Sequence, residues 1–260
     1  MIYVVGSPTT PSLPMVAFNN LFATGTLLAS TETADGAAAN AIVEGTYNYW
    51  IPSALPATLQ TTLGAATLCN TIGIVAHNYG SKGATVHLEY FTTVWVTITS
   101  ITPTDDSPIL AIFANITATQ WRIRITGTLV PATGVVYLAA RLVIPGGVKP
   151  PYTPVWQADR VELMNSQSLG GKFITNRAVR RGKETMISLA SVSRSFAEVD
   201  LNAFRIKFNE GSPFLWASGP SIFPKDVGYC WRKGGELRPT FDIDAVWMAL
   251  EMDVSADASG

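Results

Sequence analysis

The chain has 260 residues, 47% of them hydrophobic and 10% aromatic, which excludes disorder over its whole length and permits one large β domain or two ordinary ones. Charged residues make up 14%, well below the roughly 25% of soluble domains, and the net charge of −1 gives no global electrostatic case for nucleic acid or a membrane surface. A surface so poor in charge predicts a subunit covered by neighbours on several sides.

Cys69 and Cys230 are the only cysteines, too few for a disulfide framework, a CxxC redox pair or a four-cysteine zinc site. They fit synthesis in a reducing compartment. The opening residues Met1-Ile-Tyr-Val-Val-Gly lack a basic region followed by a long apolar run, and no apolar run approaches the length of a membrane-spanning helix. Expected are no signal peptide and no membrane span.

The chain divides by charge. Residues 1–150 carry 5 Lys and Arg with 6 Asp and Glu, whereas residues 151–260 carry 13 of each. Between them Ile144–Pro154 holds four prolines and two glycines, which neither a helix nor a central strand can cross. The expected organisation is a β-sandwich over 1–147 (1–40 being an extension with the first strands), a Pro-rich linker over 148–154 and a second β domain over 155–260.

In chain order, Thr71–Ala76, Ala84–Tyr90, Val94–Ile98 and Trp121–Thr126 are short and rich in β-branched and aromatic residues. In the last of these, Trp121, Ile123 and Ile125 alternate with Arg122 and Arg124, so one face is buried and one wet. Val135–Ile144 predicts a longer strand. Asn78–Gly83 and Thr104–Pro108 predict turns, and the pattern suggests a sandwich or jelly roll. In the second part, strands are predicted at Glu184–Ala190, Pro213–Ala217, Val227–Trp231 and Val246–Val254, with a helix near 196–209. That helix is assigned a capping box of Ser195 and Glu198, with Gly211 at its C-terminus. The result is an all-β-dominated fold, a small second sandwich or barrel carrying one flanking helix.

Candidate chemistry is thin. His77 and His87 are the only histidines; no GxSxG elbow or HExxH spacing accompanies them. Asp105-Asp106 reads as a turn rather than a calcium loop, and Asp242-x-Asp244 is similarly isolated. Gly64, Gly73, Gly80 and Gly83 match no nucleotide fingerprint. No catalytic residue, metal ligand or cofactor is assigned, and no enzyme is expected. Asn176–Lys183 is the densest basic patch; it reads as an exposed hairpin tip able to meet acidic groups of a neighbouring subunit. Tyr47, Tyr49, Trp50, Tyr79 and Trp95 are candidates for stacking on sugars, with core packing as the competing role.

The order Tyr49-Trp50-Ile-Pro, Thr71–Asn78, Gly83–Leu88 and Trp121–Gly127 resembles discoidin-type, galactose-binding-like modules over roughly residues 40–145. The family's flanking cysteine pair is missing, and its ligands sit in variable loops, so the resemblance implies a jelly roll and names no ligand-binding residue here. Pro213–Ala217, Pro224 and Tyr229–Trp231, with the final alternating strand, are similar to segments of structural proteins in the tails of tailed bacteriophages. That likeness implies a virion subunit of a tail tip or baseplate, made in the bacterial cytoplasm, ring-forming, with other virion proteins as partners and host glycans as a further ligand. A carbohydrate-binding module is the alternative, then a jelly-roll capsid or head-decoration protein. A free-standing lectin is expected to carry more than the 11 charges of residues 1–150.

Overall fold

The computed structural model describes residues 1–241 and 247–257, excluding the side chains of Arg180, Ala190 and Ser191. Asp242, Asp244 and Val246 therefore lie outside the described residues. Most of the regular structure is strand. The first nine are β1 (Ile2–Val4), β2 (Met15–Ala17), β3 (Thr26–Ala29), β4 (Ala57–His77), β5 (Thr85–Phe91), β6 (Trp95–Ile101), β7 (Ile109–Thr126), β8 (Thr133–Ala139) and β9 (Leu142–Val143). There follow β10 (Asp159–Gln167), β11 (Phe173–Ser193), β12 (Phe214–Ala217), β13 (Val227–Arg232), β14 (Thr240–Phe241) and β15 (Trp247–Asp257). One turn of helix, α1 (Tyr79–Lys82), stands where a turn was expected, and α2 (Asn202–Glu210) supplies the expected helix.

Two sheets result, antiparallel apart from the β1–β7 pair. In the first, the order is β3-β4-β7-β5-β6, with β8 on β4 and β1 on β7. β4 and β7, of 21 and 18 residues, are much longer than the short strands expected from the sequence. Their pairing lapses between Thr62 and Thr67, where Gly64, Ala65 and Ala66 are exposed, and there the pair passes from one layer to another. Over Ala57–Leu63 alternate residues of β4 are buried, whereas Cys69–Val75 is buried throughout. The front layer therefore has one wet face, and the middle layer is covered on both faces.

Three apolar clusters fill the gaps between layers. Leu59, Leu88, Trp121 and Ile123 of the front meet Ile72, Phe113 and Leu138 of the middle. Val75, Leu110, Val135 and Tyr137 on the far side of the middle layer meet Met15, Leu215, Val227 and Tyr229 of the second sheet. On that sheet's other face, Leu201, Phe204 and Phe208 pack against Phe214, Trp216, Leu250 and Met252. The molecule is thus a sandwich, a further sheet stacked upon it, and a helix outside.

The second sheet runs β10-β11-β15-β13-β12-β2-β9. Its β2 and β9 come from the part of the chain preceding the Pro-rich segment, so the sheets do not divide at residues 148–154. That segment is itself tied down: the Lys149 amide donates to the Ser188 carbonyl at 2.7 Å, and Val148 bridges Leu189.

Three local expectations need correction. The helix is capped by Ser193, whose Oγ accepts from the Phe196 amide at 3.3 Å; Ser195 is already helical at φ −60° and makes no cap. Glu198 turns to Arg194 at 2.6 Å instead of reaching back, and residues 196–200 form a π-helical turn. Gly211 closes α2 at φ +86°, as expected of a glycine in that position. Asn176–Lys183 is not a hairpin tip but the shaft of β11; the turn lies at residues 168–172. The expected Val135–Ile144 strand breaks into β8 and β9 because each half pairs in a different sheet.

Candidate functional site

The wet face of the front layer carries the richest constellation. Register places Gln60, Arg122, Glu89 and Thr97 in one row across β4, β7, β5 and β6, with Thr58, Arg124, His87 and Ser100 in the next. Directly opposed residues in antiparallel strands share a face, while Val86, Leu88, Ile123 and Ile125 point into the core.

Glu89, only 3% exposed, anchors the face. It accepts from Arg122 Nε at 2.5 Å, from Arg124 Nε and Nη2 at 3.0 and 2.9 Å, and from Thr97 Oγ1 at 3.1 Å. Burial would raise its pKa, but the bonds from Arg124 and Arg122 outweigh burial and hold the carboxyl below its ordinary value. A guanidinium has five N–H donors, so both arginines keep donors beyond those used on Glu89. Arg122 also lies 4.0 Å from the centre of the Trp95 ring, and Phe91 meets the same ring edge-on at 5.3 Å. His87 joins Ser100 at 2.7 Å and Thr126 at 3.0 Å; burial and then Arg124 lower its pKa. The arrangement is a rigid, polar, open platform with one partly exposed indole at its edge.

Of the other aromatic candidates, Trp50 and Tyr79 are fully buried. Trp50 donates to the Thr31 carbonyl, and Tyr79 shares a 2.7 Å bond with Thr133. Tyr47 and Tyr49 are exposed.

The fold also gathers residues that lie apart in sequence at the end of β4. His77, Asn78, Tyr49 and Asp106 line a cleft of about 360 Å³. Asp106 accepts from the Ser81 amide at 2.9 Å and hydroxyl at 2.5 Å, while Asp105 accepts from the Ser107 amide at 3.0 Å. Asp105 thus forms the local backbone-bonding turn expected of the pair, whereas Asp106 instead ties the turn to Ser81 of α1. His77 is 5% exposed, stacks on Tyr79 and accepts the Tyr79 amide at Nδ1 (3.3 Å). Its Nε2 has no hydrogen-bond partner among the described residues. Burial lowers its pKa to about 4, against the opposing pull of Asp106. Both serine hydroxyls are taken by aspartates, so no serine is bonded to the histidine as a nucleophile would be.

Cys69 and Cys230 are free and buried in separate clusters, and burial pushes the Cys69 thiol up to about 12. Among the described residues no group of three or more His, Cys, Asp or Glu is placed to hold a metal, and no helix is long and apolar enough to cross a membrane.

No protein family and no curated protein matches the chain. Solved structures similar to part of it include carbohydrate-binding modules and a Ruminococcus gnavus GH29 fucosidase, of which the match covers 27%. A family 32 module of Clostridium perfringens NanJ in complex with galactose is 18% identical, with a TM-score of 0.42, and the match covers 49% of this chain and 99% of that one. A family 32 module of Clostridium perfringens in complex with GalNAc-β-1,3-galactose is 15% identical over 47% of this chain and 100% of that one, with a TM-score of 0.42. A chitosan-binding module from a Paenibacillus chitosanase/glucanase, in complex with chitotriose, is 18% identical over 46% of this chain and 100% of that one, with a TM-score of 0.41.

Register reasoning on the sequence had marked Arg122 and Arg124 as the wet side of a strand and Trp95 as a stacking candidate. It missed Glu89, Gln60 and Thr97, and it considered His87 only for catalysis. The polar residues of Thr85-Val-His-Leu-Glu, alternating with apolar ones, were the available signal.

Proposed function

We propose that this chain is a non-catalytic carbohydrate-binding protein whose ligand lies across the wet face of the front layer, against Trp95. The observation that carries this reading is the fixed row Gln60–Arg122–Glu89–Thr97 beside the Trp95 ring. A sugar offers an apolar C–H face and a rim of hydroxyls. An indole suits the first; arginine donors and carboxylate, amide and hydroxyl acceptors suit the second. Because the arginines are already held by Glu89, little side-chain freedom is lost on binding. The platform is shallow, which suits one or two sugar units of a longer surface glycan better than an enclosed small molecule.

The test is a glycan array with the full chain, followed by calorimetry on the best ligand. Trp95→Ala should weaken binding at least tenfold with little change in melting temperature, and Tyr47→Ala should leave it unchanged. An array without hits, or binding indifferent to Trp95→Ala and Arg124→Ala, would overturn the reading.

A second reading, a structural subunit of a larger assembly such as a phage tail tip or baseplate, is favoured by the uncovered β10–β11 hairpin. Labelling the chain in intact particles by electron microscopy tests it; absence from every particle would remove it.

A further inference from the structure

We propose that the β10–β11 arm seats on the acidic, apolar outer face of β11 and β15 in a second copy of this chain, a head-to-tail contact. From Lys183 onward β11 pairs with β15, but before that residue it has only β10. The two strands pair from Asp159–Lys183 out to Gln167–Phe173, a ribbon of roughly 30 Å at the rise of a β-strand. Every residue of β10 is exposed. A two-stranded ribbon with both faces in water is marginal by itself, and its free edge invites another chain.

The arm is not built for water. Val161, Leu163, Met164, Phe173, Ile174 and Val179 are each at least 48% exposed. Val161 and Leu163 sit opposite Arg181 and Ala178, on the side of the sheet that carries the buried Thr185, Ile187 and Leu189 nearer the body. The core-facing side of the sheet therefore runs out past its covering helix and continues uncovered. With this apolar surface goes an excess of positive charge: residues 159–183 contain six Lys and Arg against one Asp and one Glu. Arg177 and Arg181 are exposed and have no ion-pair partner among the described residues.

The complementary surface is on the same chain. Residues 240–257 contain five Asp and Glu and no Lys or Arg. Of these, Glu251 is exposed on the outer face of the sheet, and Asp253 shares that face through register with Met186 and alternation with Glu251. Lys233 pairs with Asp253 at 3.9 Å and with Glu184 at 2.8 Å, so Glu251 is the acid of the face that is open to a partner's arginine. Met186 (54% exposed) and Trp231 (37% exposed), which shares the face through its register with Ser255, supply the apolar partners. A basic, apolar arm and an acidic, apolar face at different places on one molecule make a heterologous contact. Such contacts repeat into a ring, or into a filament if the rotation does not close. Opposed charges set the register, and apolar burial supplies the affinity.

Light scattering coupled to size exclusion on the full chain reads the assembly. Concentration-dependent oligomers are expected for the wild type. Arg181→Glu and Glu251→Arg should each weaken association at least tenfold, and the double variant carrying both should regain it. Both positions are exposed, so folding should survive; circular dichroism checks this. Separately, chains with Leu163→Cys mixed with chains with Met186→Cys should cross-link under mild oxidation. A wild type monomeric at about 100 µM, or oligomers indifferent to both reversals with no such cross-link, would overturn the proposal.

Discussion

Glu89 Oε1 accepts both Nε and Nη2 of Arg124 across the β5–β7 ladder, at 3.0 and 2.9 Å, while Oε2 accepts Nε of Arg122. One carboxylate, almost without contact with water, thus fixes two cations on an exposed sheet face. Its pKa is depressed in the folded chain, so the unfolded chain binds its proton more readily. The stabilisation is complete above the ordinary Glu value of about 4.3 and is lost as pH falls through the lower folded value. Glu89→Gln should therefore destabilise the chain by about 1.5–3 kcal/mol at pH 7, the range for hydrogen bonds to charged groups. The deficit should shrink towards pH 3. Urea midpoints at several pH values measure it, and a deficit independent of pH would contradict the electrostatic role.

His77 gives the opposite kind of group, a base held neutral by burial. Its pKa is lowered to about 4 from the ordinary 6.5. Between these values the unfolded chain takes up a proton and the folded chain does not, so stability falls as pH drops from about 6.5 to 4 and levels off below. The shift corresponds to up to about 3 kcal/mol at 1.36 kcal/mol per unit. His77→Asn should flatten that part of the curve. Parallel thermal melts of variant and wild type over this range check it; equal slopes would show that other groups carry the dependence.

The strands of the front layer were legible because their alternation is clean: Trp121, Ile123 and Ile125 inside, Arg122 and Arg124 outside, as the register confirms. The helix was legible for the same reason, through Ala197, Leu201, Phe204 and Phe208, all buried. Strand length was not. Ala57–His77 runs through Gly64 and Asn70 as one strand because it changes layer at an exposed small-residue bend, and propensity reads such a bend as an end. Nor could local pattern show that Met15–Ala17 pairs with β12, some 200 residues away, since three apolar residues carry no register of their own. The candidate site was half-legible. Trp95 and the two arginines stood out singly, but only the pairing of β5 with β7 makes Glu89 their common partner.

Gly73 of β4 and Leu215 of β12 bring the middle layer and the second sheet into contact: a Cβ on Gly73 would stand 2.3 Å from Leu215 Cδ1. Leu215 is fully buried in the cluster that also holds Tyr137 and Tyr229, so it cannot simply swing aside. This cluster, together with β2 and β9 crossing into the second sheet, links the two sheets more tightly than a linker between domains would. Both should therefore unfold together. Leu215→Ala should cost about 2–5 kcal/mol through lost burial and the cavity left behind. Gly73→Val should also destabilise, by overpacking, about 1–3 kcal/mol. In both variants calorimetry should show one transition, shifted down, because the stability of each sheet depends on the face it shares with the other. Two resolved transitions in the wild type, or a Leu215→Ala variant in which only one portion melts early, would show that the sheets fold as independent units joined at the Pro-rich segment.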